Sequence, residues 1–161
     1  MTDFFYFLGR FHVLALHLPI GILLLTIFLD FTSRRPRYQY LERALPLCWA
    51  ATALTAVLTV ALGLLHFSEG GFEGAAGFAH RNYGIAFAVT CVVVWFFNAN
   101  MPGLYKQFSS VTSIILLGLV TMTGHYGGNL THGSTYLVEY APEPLRNLAG
   151  LDARRVQSAS A

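Results

Sequence analysis

Four long apolar stretches, separated by three short polar links, make up most of the chain. Phe11 to Phe31 carries no charge until Asp30, near its end, and about 20 helical residues suffice to cross a hydrocarbon core. Leu45 to Phe67 is uncharged, rich in Ala, Leu, Val and Thr, and entered by Pro46. His80 to Asn98 has Arg81 near its start but is strongly apolar from Ile85 to Phe97. Ser109 to Gly124 is the fourth stretch and leads directly into His125. This pattern predicts an all-α integral membrane protein, a four-transmembrane-helix up-down bundle over residues 1–140 with spans near 11–31, 45–67, 80–98 and 109–125. Residues 141–161, with Pro142 and Pro144, read as a polar C-terminal tail that fades into a flexible Arg/Ser/Ala segment. Pro19 has no N–H to donate and predicts a kink or loosening in the first helix. Residues 99–107, holding Pro102 and Gly103, read as a turn, and Gly127 with Gly128 predict the end of the fourth helix. Internal repeats are not apparent.

Composition sharpens the class. Of 161 residues, 55% are hydrophobic and only 11% charged, against roughly 25% charged in an ordinary soluble domain. The net charge of +2 is small, and the basic residues do not alternate with aromatics, which argues against a nucleic-acid partner. The first ten residues lack the basic start and cleavage site of a removable signal peptide. Cys48 and Cys91 stand alone inside apolar runs, with no C-x-x-C-H for covalent haem and no C-x-x-C metal pair.

Charge in the links sets orientation. The first link carries Arg34, Arg35, Arg37 and Arg43, and the third Lys106, whereas the second has no basic residue before Arg81. Basic residues stay cytoplasmic, so the second link and both termini are expected to face outward, into the periplasm of a bacterial inner membrane. Every histidine then falls at that face: His12 and His17 early in span one, His66 ending span two, His80 opening span three, and His125 and His132 at the end of span four.

Ionisable groups at membrane depth are costly and usually functional. His12 and His17, five residues apart, point about 140° from one another on a helix, so one small ion does not take both easily. Gly21 lies four residues from His17, and Gly84 four from His80, each on its histidine's own face, leaving flat space of the kind a porphyrin needs. Two neutral imidazoles from facing helices are a known way to hold haem. His17, His80 and His125 are the leading ligand candidates, with His12 and His132 completing a second pair if two haems are present. Arg10 and Arg81 are placed to meet propionates or lipid headgroups. His66 follows the last leucines of its span and reads as an ordinary interfacial residue.

The strings F-H-V-L-A-L-H-L-P-I-G (Phe11–Gly21), H-R-N-Y-G-I (His80–Ile85) and G-H-Y-G-G-N-L-T-H-G (Gly124–Gly133) resemble a family of four-helix bacterial membrane proteins long catalogued as a domain of unknown function. Val13 stands where that family commonly has proline. Related membrane segments occur in chains that continue into planctomycete-type cytochrome c domains. The resemblance covers most of residues 8 to 145, and it implies redox company and non-covalent haem without supplying a reaction.

The sequence therefore leads to an expectation of a b-type haem protein, with one or two haems, transferring electrons at the periplasmic face. It reads as a subunit of a larger redox complex more than as a stand-alone enzyme. A c-type cytochrome or other periplasmic redox subunit, or else quinol, is the expected partner within the lipid membrane. The alternatives are a haemless copper or zinc site, for which imidazole is suited, and a non-catalytic membrane anchor or assembly subunit.

Overall fold

A computed structural model describes residues 2–133, 135 and 139–148. Four helical segments in it are long and apolar enough to cross a membrane: Asp3–Ser33, Pro36–Phe67, Ala75–Asn100 and Pro102–His132. The first is interrupted, with α1 at Thr2–Arg10, α2 at His12–Ala15 and α3 at His17–Ser33. The break between α2 and α3 falls at Leu16, just ahead of Pro19, whose missing N–H leaves the Ala15 carbonyl without its helical partner. A 3₁₀ helix over Pro36–Ala44 leads into α4 (Leu45–Phe67), followed by α5 (Ala75–Asn100) and α6 (Pro102–His132). The described part of the tail forms a short α7, Glu143–Leu148. The expected flexible segment beyond it lies outside the described residues. Leucines, isoleucines and valines with half or more of their surface exposed, such as Leu47, Leu54, Leu58 and Ile114, stud the outside of the bundle, as lipid-facing helices require.

Two boundaries differ from expectation. The turn predicted over residues 99–107 shrinks to Met101 alone, because Pro102 takes the first position of α6, where its fixed φ is favourable and no N–H is missed. Gly127 and Gly128 do not end α6, which runs on to His132 and stops at Gly133 with φ +85°. Glycine inside a helix costs roughly 1 kcal/mol relative to alanine, and at Gly127 the reason to tolerate that cost is steric. A Cβ there would sit 3.0 Å from the His80 ring.

A repeat that the residue identities hide appears in the burial pattern. His80 follows His12 by 68 positions (80 − 12), and the same shift carries Gly9 onto Gly77, Pro19 onto Phe87, Leu23 onto Cys91, Thr26 onto Val94 and Asp30 onto Asn98. All ten of these flanking residues are buried. In the second helix of each pair a shift of 64 (123 − 59) carries Leu45, Trp49 and Thr52 onto Ser109, Ser113 and Leu116, again all buried, and Thr59 and Gly63 onto Thr123 and Gly127. Ala53, Ala56 and Thr59 map under that shift onto half-buried Leu117, Val120 and Thr123, so the two helix pairs share their burial register in part.

The core lies toward the arginine-bearing end. Leu23, Trp49, Cys91 and Leu116 are wholly enclosed, and Trp49 Nε1–H donates to the Tyr105 hydroxyl at 2.9 Å. Arg34 ties α3 to α6, reaching Asp30 Oδ2 at 2.8 Å, Ser110 at 2.8 Å and Ser109 at 3.1 Å. Lys106 pairs with Glu42 at 2.8 Å.

Candidate functional site

The histidine end is built by close backbone approach. Gly9 of α1 lies against the backbone of His66, where a Cβ would meet the amide nitrogen at 2.6 Å. This contact presses α1 and α2 onto the last turns of α4. His12 then lies over Gly63, whose absent Cβ would be 2.9 Å from its Nδ1, and that Nδ1 is 2.9 Å from the Thr59 carbonyl. His80 repeats the arrangement in the other helix pair, lying over Gly127 with Nδ1 at 2.9 Å from the Thr123 carbonyl. A carbonyl only accepts, so each Nδ1 must carry the proton. In the neutral imidazole Nε2 is then the nitrogen with the free lone pair. A backbone carbonyl on the second ring nitrogen is also the usual way in which a metal-ligating histidine is oriented.

The two rings meet across the bundle, their centroids 5.9 Å apart and their planes at 80°. Two nitrogens sharing one metal stand about 4 Å apart, twice a metal–imidazole bond of ~2.0 Å. Both rings are half-buried. Among the described residues no group of three or more His, Cys, Asp or Glu side chains could converge on a metal. The donor set here is two imidazoles, which suits a group that brings its own equatorial ligands.

The other predicted ligands lie elsewhere. His17 is nine residues before buried Thr26, and His125 nine after buried Leu116, a spacing that puts each half a turn from the core face of its helix. Both are exposed. His17 Nδ1 is 3.3 Å from the Leu14 carbonyl, and the Asn129 amide is 3.3 Å from His125 Nε2. His125, Asn129 and His132 line a groove of about 630 Å³ together with Thr121, Met122, Gly124 and Gly128, all on the outer face of α6. Gly21 faces open space beside His17, whereas Gly84 packs on the Thr123 methyl at 3.7 Å. The structure therefore brings His12 and His80 together and does not bring His17, His80 and His125 together.

The arginines are also engaged. Arg10 Nη2 donates to Glu69 Oε1 at 2.6 Å, and this bond holds the Glu69 carboxyl below the usual carboxylate range. Arg81 lies over the rings of Phe67 and Phe78, 5.1 Å from each centroid, and hydrogen-bonds the Asn82 side chain. His66, which the sequence passes over, has its Nδ1 3.3 Å from Glu69 Oε2 and its ring 4.9 Å from that of Phe72. The signal available for it was the carboxylate three residues on, at Glu69.

No family model matches the chain, and no curated protein or solved structure matches it.

Proposed function

We propose that this chain is a multi-pass protein of a bacterial inner membrane that binds one b-type haem between His12 and His80 and passes electrons at the periplasmic face. The observation that carries this reading is the repeated device of a histidine seated on a glycine, with Nδ1–H given to a threonine carbonyl, at 5.9 Å between rings. A haem brings four nitrogen donors of its own and would ask the chain for no more than two imidazoles, whereas a structural zinc site is commonly built from four protein ligands. Two oriented imidazoles fit the first requirement and fall short of the second.

The residues divide the work. Thr59 and Thr123 fix the tautomer and rotation of the two imidazoles through their carbonyls, and Gly63 and Gly127 make the room. When bound, haem supplies reversible one-electron chemistry, and the chain's part is to hold the ligand nitrogens and shape access. His17, His125 and His132 stand outside this pair, so a single haem per chain follows. The ligand pair lies at one end of the bundle, so this chain alone does not carry electrons across the membrane. It exchanges them between partners at that end, one of them a c-type cytochrome or similar periplasmic subunit. The excess of arginine at the opposite end supports a periplasmic position for the histidines.

The test is a dithionite-reduced minus oxidised spectrum of the detergent-purified protein, with pyridine haemochrome quantitation. A b-type α band at one haem per chain is the expected result. A flat spectrum from cells supplied with haem precursor would sink the proposal.

A further inference from the structure

Where the two helix pairs depart from their common register, the departures gather at one mouth. Arg10 and Val13 correspond to Phe78 and Arg81 under the 68-residue shift, and His66 and Glu69 to Leu130 and Gly133 under the 64-residue shift. Only the first pair therefore has an acid, a base and a cation together. These residues, with Gly70 and Phe72, line a cavity of about 600 Å³. Gly70 and Gly71, at φ +93° and +88°, turn the chain sharply there, a conformation that side chains with a Cβ rarely adopt. Val13 adjoins His12, and His66 is three residues beyond Gly63, so the cavity lies within about a turn of the His12 ring.

The chemistry of the cavity restricts what it suits. Arg10 and Glu69 neutralise one another at 2.6 Å, which leaves no net charge for an anion such as a lipid phosphate to seek. His66 Nδ1 and Glu69 Oε2 are both shielded from solvent and face one another at 3.3 Å, so the carboxylate draws the ring proton to Nδ1 and leaves Nε2 as the imidazole's acceptor. Val13 and Phe72 supply apolar walls. A neutral, flat molecule that arrives through lipid and donates an O–H meets all of these conditions.

We infer that the Arg10–His66–Glu69 cavity binds a membrane hydroquinone and takes up its phenolic protons. This inference rests on the haem reading above, because the electrons need an acceptor. The overall step is hydroquinone giving quinone, two protons and two electrons. The O–H bonds break, and each proton passes to the His66 imidazole. Glu69 stabilises the imidazolium, as a carboxylate does beside a general-base histidine. A haem held by His12 and His80 would supply the one-electron acceptor, taking the second electron only after a periplasmic c-type cytochrome has removed the first. Arg10, 68% exposed at its side chain, marks the route by which His66 returns each proton to water at the outer surface.

The experiment uses the full chain in nanodiscs and decylubiquinol as the probe. Stopped-flow absorption is expected to show haem reduction by the quinol. His66→Phe, which keeps the ring packing on Phe72, should slow it about 100-fold, with haem content and dithionite reduction unchanged. Calorimetric titration of decylubiquinol into fully reduced protein, where no electron can move, reads binding alone, and Glu69→Gln should weaken it. Haem that dithionite reduces but decylubiquinol does not would overturn this inference and leave the haem reading standing. So would equal rates in wild type and His66→Phe. A haem-free preparation would remove the redox step, and absence of quinol binding to it would remove the site as well.

Discussion

At the arginine end, Trp49, Leu23 and Leu116 interlock with none of their surface exposed, and burial then runs along α6 only as far as Leu116 and along α4 only as far as Thr59, whose carbonyl meets His12. At the histidine end the last two turns of α4 and the last four of α6 bury nothing, and contact is made by glycine against backbone or imidazole. The first arrangement is a jigsaw of side chains, in which each methylene matters to stability. The second positions two rings accurately while leaving them half-buried and accessible to a ligand. On the haem reading proposed above, stability and ligand binding fall to opposite ends of one bundle, and substitutions should separate them.

The sharpest separation comes from the glycines beneath the rings. Gly63→Ala and Gly127→Ala improve helix propensity by up to about 1 kcal/mol, yet each puts a Cβ within 3.0 Å of a histidine ring. The ring must swing and lose its bond to the threonine carbonyl. Cofactor affinity should fall ~10- to 100-fold, the usual cost of removing such a supporting contact, in protein that unfolds no more easily when haem-free. Haem titration of the apo-protein, alongside its unfolding midpoint, measures both.

Trp49→Ala should do the reverse. It removes the largest enclosed side chain and leaves Tyr105 without the indole donor, and should cost about 3–5 kcal/mol of stability. The folded fraction should retain its spectrum. If haem loss tracked Trp49→Ala as closely as Gly63→Ala, the two ends would not be separable.

A smaller effect concerns pH. Arg10 lowers the proton affinity of Glu69 in the folded protein, so this contact contributes stability above the unfolded carboxyl value and loses it as pH falls through the lower folded value. Wild type and Glu69→Gln should differ in melting temperature near neutral pH and converge in acid below the ordinary carboxylate range. A difference that persisted at the lowest pH would assign the effect to something other than the ion pair.

The spans were legible because each is an apolar run bounded by charge, Phe11–Phe31 and Leu45–Phe67 most plainly, and the gathering of the histidines at one end followed from the up-down alternation of those spans. The pairing of those histidines was not legible. His17 and His80 have glycines on their own faces, Gly21 and Gly84, which suggest room for a ring plane. The decisive glycines, Gly63 and Gly127, lie on neighbouring helices, and own-helix spacing says nothing about them. The repeat was hidden for a related reason. Leu23 and Cys91, or Trp49 and Ser113, share a burial position and no chemistry, so identity did not reveal what packing does. Gly127 misled in the same way, since its local preference for ending a helix yields to its contact with His80.

The smallest expected change is in His17→Ala and His125→Ala, whose side chains face away from the bundle, and it anchors the most direct test. Haem-to-protein ratio should be measured by pyridine haemochrome in His12→Ala, His80→Ala, His17→Ala and His125→Ala, purified in parallel with wild type. Loss of haem from the first two, with the last two unchanged at one haem per chain, is the predicted result. Haem retained in His12→Ala and His80→Ala, and lost from His17→Ala or His125→Ala, would contradict the assignment of the site to the paired rings.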